Sequence, residues 1–255
     1  MSKPNYHIFI PTRGRTTKQL TVERMPLPLR SLVTLVCPRD EVDALRSNYP
    51  GVNVLAQPDN IKTLHKKREW IMKQSKYPFS FMFDDDLYLY VFDTKQDKHV
   101  VASTNAAATR KFWTKTMPKL VRDYPVIGLG TKAFAQKGGI KENFHLGFAF
   151  GASRAAIKAI EWGRIHFYED IDYTLQWLKG GWRIALTYDM VVAQRGAEGD
   201  GGLSGERTRE EAARCLKQLI QLHPDVVKEK PPSAQHPDSN TRISWRSAAK
   251  IGGLI

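Results

Sequence analysis

Cysteine is nearly absent: the 255-residue chain has two, Cys37 in an apolar run and Cys215 in an expected helix. Two thiols cannot build a disulfide framework or supply a four-ligand metal cluster by themselves, so both read as reduced. Long hydrophobic runs are missing too. No segment approaches the roughly 20 apolar residues that a bilayer crossing needs, and the polar start MSKPNYH lacks the build of a secretory signal. A cytoplasmic protein without membrane contact is therefore expected. Neither GxxxxGKS/T nor GxGxxG occurs, which argues against an ordinary NTPase or dinucleotide enzyme. Acidic side chains are also scarce, with 26 Asp and Glu against 39 Lys and Arg and a formal charge of +13. Such a balance favours polyanionic partners: nucleic acid, an anionic surface or phosphorylated small molecules. The charge is clustered. HKKRE at 65–69 lies among Lys62, Lys73 and Lys76, and a second group comprises Arg110, Lys111, Lys115, Lys119 and Arg122.

What is present reads as alternating strand and helix. YHIFIP at 6–11, LVTLVC at 32–37, VNVLA at 52–56 and FSFMF at 79–83 are short apolar runs bounded by turn residues, as buried strands are. PRDEVDALRSN opens like a capped helix, and 60–76 has partly helical spacing. This alternation predicts an α/β fold with a parallel sheet and helices on its faces. Further on, a helix is expected over 106–122, strands at VIGLG and at 145–152, and a Ser-capped helix in SRAAIKAIEWG. FYEDIDYTLQWLKGG reads as an acidic helix start with a glycine stop, and WRIALTYDMVVAQ as two short strands. RGAEGDGGLSG is a glycine-rich loop, suited to a lid, and ERTREEAARCLKQLIQLHP an amphipathic helix. Residues 1–205 are expected to form the main domain, and 206–255 a C-terminal helix and wrapping tail belonging to it.

Ligands of such sheets bind beyond the carboxyl ends of the strands, where both TRGR at 12–15 and DDD at 84–86 fall. Three adjacent carboxylates repel one another, and a turn needs fewer. On an extended backbone Asp84 and Asp86 project to one side and Asp85 to the other, so the outer two can converge on a cation. Hard oxygen ligands suit Mg or Mn. In TRGR, Gly14 allows close backbone approach, and Arg13 and Arg15 can pair with phosphate. Trp113, lying among basic residues, is a candidate to contact an unstacked base.

IFIPTRGR, NIKTLHKKREW, FMFDDD, GFAFGASR and FYEDIDYTLQWLKGGW, in this order over about residues 5–207, resemble GT-A fold glycosyltransferases. More narrowly, the chain is similar to the phage TET-associated glycosyltransferases. The resemblance implies a Rossmann-like mixed sheet, a nucleotide-sugar donor such as a UDP-sugar, and a divalent metal on its diphosphate. It places Pro11, Thr12, Arg13 and Arg68 around the donor, and Arg15, Lys66, Asp85 and Arg207 are further candidates to bind it. Asp84 and Asp86 match the Asp-x-Asp pair, although Asp85 with Asp86 is also open. Glu169 and Asp170 match the acids from which a base is drawn, with Asp172 a further candidate. The implied acceptor is 5-hydroxymethylated pyrimidine in DNA, 5-hydroxymethylcytosine foremost, and the net positive charge agrees with it. A surface glycan, lipid or protein acceptor, or a non-catalytic DNA-binding accessory, are the other readings.

Overall fold

YHIFIP forms β1 (Tyr6–Pro11), buried at every position. In the computed structural model, which describes residues 5–194, 208–230 and 241–255, it lies within a ten-stranded sheet. After β1 the chain runs through α1 (Leu20–Arg24), β2 (Val33–Cys37), α2 (Val42–Asn48), β3 (Asn53–Ala56), α3 (Leu64–Gln74) and β4 (Phe79–Phe83). A hairpin follows, β5 (Leu87–Asp93) and β6 (Lys98–Val101), then α4 (Ala106–Lys111), a π-helical turn (Phe112–Thr116) and α5 (Met117–Asp123). Next come β7 (Val126–Thr131), β8 (Ile140–Glu142), β9 (Ala149–Ser153), α6 (Arg154–Lys158), α7 (Glu169–Lys179) and β10 (Ile184–Gln194). The C-terminal part contributes α8 (Arg209–Leu222), β11 (Val227–Glu229), β12 (Thr241–Ile243) and α9 (Trp245–Ile251).

The sheet order is β3-β2-β1-β4-β9-β7-β10-β5-β6, with β8 paired to the first half of β10. β1 to β4 are mutually parallel, as the strand and helix alternation predicts. Beyond β4 the sheet is mixed: β9 runs antiparallel to both β4 and β7, and β5 runs antiparallel to β10. The expectation of a parallel sheet thus holds for one half, and the mixed sheet implied by the resemblance describes the whole.

Strand alternation sends side chains to opposite faces. Ile8, Ile10, Phe79, Phe81 and Phe83 join Phe112 and Trp113 on one face. Phe9 and Met82 point to the other, where Phe150, Trp177, Cys215, Leu219 and Ala248 pack. Residues from α8 and α9 therefore belong to a core shared with β1, β4 and β9. The β4 phenylalanines are each at most 1% exposed, a burial worth roughly 2 kcal/mol apiece. Glycine in β9 follows from the same packing, since a Cβ on Gly151 would lie 2.4 Å from the Phe81 ring.

Three local expectations change. WRIALTYDMVVAQ is one strand, β10, whose pairing with β7 shifts register between Thr187 and Val191 and so accommodates the Tyr188–Asp189 irregularity. The helix expected over 106–122 contains the π turn, which brings Phe112 and Trp113 together into the core. Trp113, expected as a base contact, is 3% exposed and packs against Phe83, Phe112 and Tyr6. The glycine-rich loop expected as a lid lies outside the described residues.

Candidate active site

β1 stops at Pro11, and the next residue, Thr12, still bonds to β2 through its backbone N–H to the Val36 carbonyl at 2.9 Å. Gly14 then takes a left-handed φ of 73°, a conformation that a side chain would strain. This turn carries Arg15 back towards the end of β4. There Arg15 pairs with Asp85 and lies 3.5 Å from Asp86. Thr12 Oγ1 donates to Asp85 at 2.7 Å and in turn accepts from Gln19 at 2.7 Å. Asp85 is thus held by the β1 loop.

The DDD segment is braced from below. Thr21 Oγ1 donates to the Asp84 carbonyl at 2.6 Å and accepts the Leu87 N–H at 2.8 Å, so one buried hydroxyl spans the whole turn. Asp84 pairs with Arg68, which also pairs with Glu169 at the start of α7. The segment is a turn and not the extended backbone expected, yet Asp84 and Asp86 still converge: Gln194 Nε2 donates to both, at 3.1 and 3.0 Å. Gln194 reaches them because β10 ends opposite Leu87.

Behind Glu169, Tyr168 sits at φ 66°, a left-handed conformation that costs a non-glycine residue strain. This bend starts α7 with its acids in the first turn, where a helix N-terminus favours them. Asp170 meets His145 Nε2 at 3.2 Å, and the His145 ring stacks on Trp245 of α9 with centroids 4.9 Å apart. Asp172 turns elsewhere. It is 0% exposed and bonded to Arg164, Gln176 and His223, so its carboxylate ties α7 to the segment after α8 and has no access to a substrate.

The electrostatics follow from crowding. Asp84, Asp85, Asp86, Glu169 and Asp170 are served by the guanidinium groups of Arg15 and Arg68, the nearby ammonium of Lys67 and the imidazole of His145. Carboxylates outnumber the cations that serve them. Burial therefore raises the Asp84 carboxyl despite Arg68, pushes Asp85 up to about 6, and pushes Glu169 up to about 7. Asp170 goes the other way: burial acts to raise it, but the hydrogen bond and charge of His145, helped by Arg68, hold it below the usual range.

Of the other sequence-derived positions, Pro11 is buried at the strand end, and Arg13 Nη1 donates to the Lys62 carbonyl at 3.4 Å on an exposed edge. Lys66 turns to the surface and pairs with Glu69 at 2.9 Å. Its neighbour Lys67 is the buried lysine, 5% exposed, and donates to the Thr12 carbonyl at 2.8 Å; burial lowers it to about 8. Arg207 lies outside the described residues. Sequence reasoning missed Lys67, Thr21, Gln19 and Gln194, all uncharged or one position from the residue chosen.

A divalent cation fits the chemistry of this donor set. Asp84 and Asp86 offer hard oxygens to one point, where carboxylates outnumber the cations around them. Among the described residues no group of three His, Cys, Asp or Glu stands ready to hold a metal.

The sheet and its crevice define a GT-A type glycosyltransferase fold. A fragment of S. aureus TarS solved with UDP-GlcNAc matches with TM-score 0.51 and 15% identity, covering 86% of this chain and 66% of that one, just under two thirds of its length. A mannosyltransferase from Pyrobaculum calidifontis, solved with GDP-Man and Mn2+, matches with TM-score 0.53 and 12% identity over 98% of this chain and 70% of that one. A mycobacterial protein matches with TM-score 0.55 and 10% identity, covering 93% and 83%. No curated protein matches the sequence. The family model of the TET-associated glycosyltransferases matches residues 6–202, and the chain belongs to that family.

Proposed function

We propose that the protein transfers a sugar from a nucleotide-sugar donor, a UDP-sugar foremost, to the hydroxymethyl oxygen of a 5-hydroxymethylated pyrimidine in DNA, with a divalent metal at Asp84 and Asp86. The observation that carries this reading is the surplus of carboxylate charge gathered at the ends of β1, β4 and β10. Membership of the TET-associated family supports the DNA acceptor, and so does the formal charge of +13.

When bound, the metal supplies Lewis-acid neutralisation of charge on the departing nucleoside diphosphate. Thr12 and Arg13 line the nucleotide, while Arg15 sits where a phosphate would meet it and adds electrostatic stabilisation. Arg68 fixes Asp84 and Glu169 relative to one another, so the donor end and the α7 end of the crevice are registered by one side chain. Asp170, more exposed than Glu169 and held ionised by His145, accepts the proton of the attacking hydroxyl. The acceptor oxygen bonds to the anomeric carbon as the bond from that carbon to the diphosphate breaks.

The test is a panel of sugar nucleotides with Mn, offered to duplexes containing 5-hydroxymethylcytosine or 5-hydroxymethyluracil, with product nucleosides read by mass. A mass increase of one sugar on the modified base is expected. Nucleoside diphosphate release that ignores DNA would move the acceptor to a glycan, lipid or protein.

A further inference from the structure

The sequence shows two basic clusters, and the fold treats them differently. In the first, Lys66 and Lys73 pair with Glu69, Lys67 is buried against Thr12, and Arg68 is committed to Asp84 and Glu169. The second lies on the segment from α4 to α5. Thr109, Phe112, Trp113, Met117 and Leu120 bury one side of that segment. Arg110, Lys111, Lys115, Lys119 and Arg122 are all exposed on the other. Arg122 pairs with Asp123 at 2.8 Å and Lys119 acts on the same carboxylate from further off, whereas among the described residues Arg110, Lys111 and Lys115 show no ion pair.

Spacing makes these residues a ridge. A step of four along an α-helix overshoots one turn by about 40°, so charges at that spacing normally drift around the axis. The π turn at Phe112–Thr116 takes up an extra residue and offsets the drift between Lys111 and Lys115. From Lys111 to Arg122 the line is about 17 Å long, equal to roughly five base-pair rises along a DNA axis. The ridge borders a shallow cavity of about 590 Å³ lined by Lys115, Lys119, Tyr124 and Arg183. Asp123 and Asp189 also line it.

Topology sets its direction. β5 leaves directly from Asp86, and β6 returns antiparallel until Val101 faces Tyr90. The ridge therefore starts, at Arg110, nearer the carboxylate end of the sheet and ends, at Arg122, close to the start of β7 on the opposite side. We infer that this ridge binds the sugar-phosphate backbone of the DNA that flanks the acceptor base. The inference rests on the DNA-acceptor reading above and adds the surface to it. Contacts of this kind hold the duplex in place and carry no sequence information.

The experiment compares the wild type with the triple variant Lys111→Gln, Lys115→Gln, Lys119→Gln on an unmodified duplex of about 20 base pairs, by fluorescence anisotropy over a salt series. Each lost phosphate contact should remove about 0.9 from the slope of log K against log salt, so the slope should fall by about 2.7, and affinity near 0.1 M salt by about tenfold or more. In transfer assays KM for the modified duplex should rise while kcat and donor hydrolysis stay unchanged. Equal affinity and slope in the two proteins would overturn the ridge while leaving the DNA acceptor standing. A wild type that ignores duplex DNA at low salt, or that binds phosphatidylserine vesicles in its place, would overturn both. All five exposed side chains lie off the core, so unchanged circular dichroism and melting are expected controls.

Discussion

Arg68 and Glu169 are 101 residues apart in sequence and form a buried ion pair that joins α3 to the first residue of α7. The same guanidinium holds Asp84, so a single side chain serves two carboxylates from different parts of the chain. Removing it leaves both acids buried without a counter-charge. Arg68→Ala should therefore cost on the order of 3 kcal/mol or more in urea unfolding, and transfer should be lost with it. Glu169→Gln, which keeps a hydrogen-bonding group, should cost much less.

The raised Glu169 carboxyl makes a prediction about pH. Its native value, about 7, lies above its ordinary 4.5, so the native state binds the extra proton in that interval. Its contribution to stability is full below about pH 4.5 and is lost as pH rises through 7. Measured as the difference between wild type and Glu169→Gln, stability should shift towards the variant across that window. A difference that is flat from pH 4.5 to 7.5 would show that the carboxyl stays ionised throughout.

Asp86 is the most exposed of the DDD acids whose exposure bears on the metal, with a quarter of its side chain accessible. Asp86→Ala should leave the melting temperature of the free protein nearly unchanged. Wild type should gain stability from Mn with nucleoside diphosphate, about 2.7 kcal/mol at a hundredfold excess over Kd, and the variant should lose most of that gain. Calorimetric melts with and without the pair of ligands check it.

For the proposed base, Asp170→Asn should lower kcat by roughly 10² to 10⁴ while leaving donor affinity intact. Asp172→Asn should act differently, because Asp172 is sealed among Arg164, Gln176 and His223. Its expected signature is a fall in unfolding free energy, with residual activity tracking the folded fraction.

Thr21→Val tests the brace under DDD. It removes an acceptor from the Leu87 N–H and a donor to the Asp84 carbonyl, at an expected cost of about 1 to 3 kcal/mol. Denaturant titration reads the stability, and the metal-dependent stabilisation described above should weaken in parallel.

Much of this was legible because β1, β2 and β4 are buried on both faces and so appear as unbroken apolar runs. β5 was not, since LYLYVFD alternates buried and half-buried positions yet fills both, up to Asp93, with aromatic or aliphatic residues. The acids could be picked out because carboxylates in a row need a counter-charge. What holds them could not. Gln194 lies 110 residues from Asp84 and meets it only through strand pairing, and Lys67 differs from Lys66 by which side of α3 faces β1. Helical phase at that resolution depends on where the helix starts, and Thr63, the residue before Leu64, makes no side-chain capping bond to fix it. Trp245 likewise reaches His145 from a helix that carries no motif.

Gly252, just past α9, lies against α7 so closely that a Cβ there would come within 2.0 Å of the Leu178 carbonyl oxygen. Backbone rests on backbone, with no flexible side chain between to absorb a change. α9 is seven residues long and begins with Trp245, so the contact at its far end and the ring against His145 belong to one short element. The ring on which His145 stacks, and through His145 the surroundings of the Asp170 carboxylate, thus rest on a backbone contact whose closeness depends on a missing methyl group.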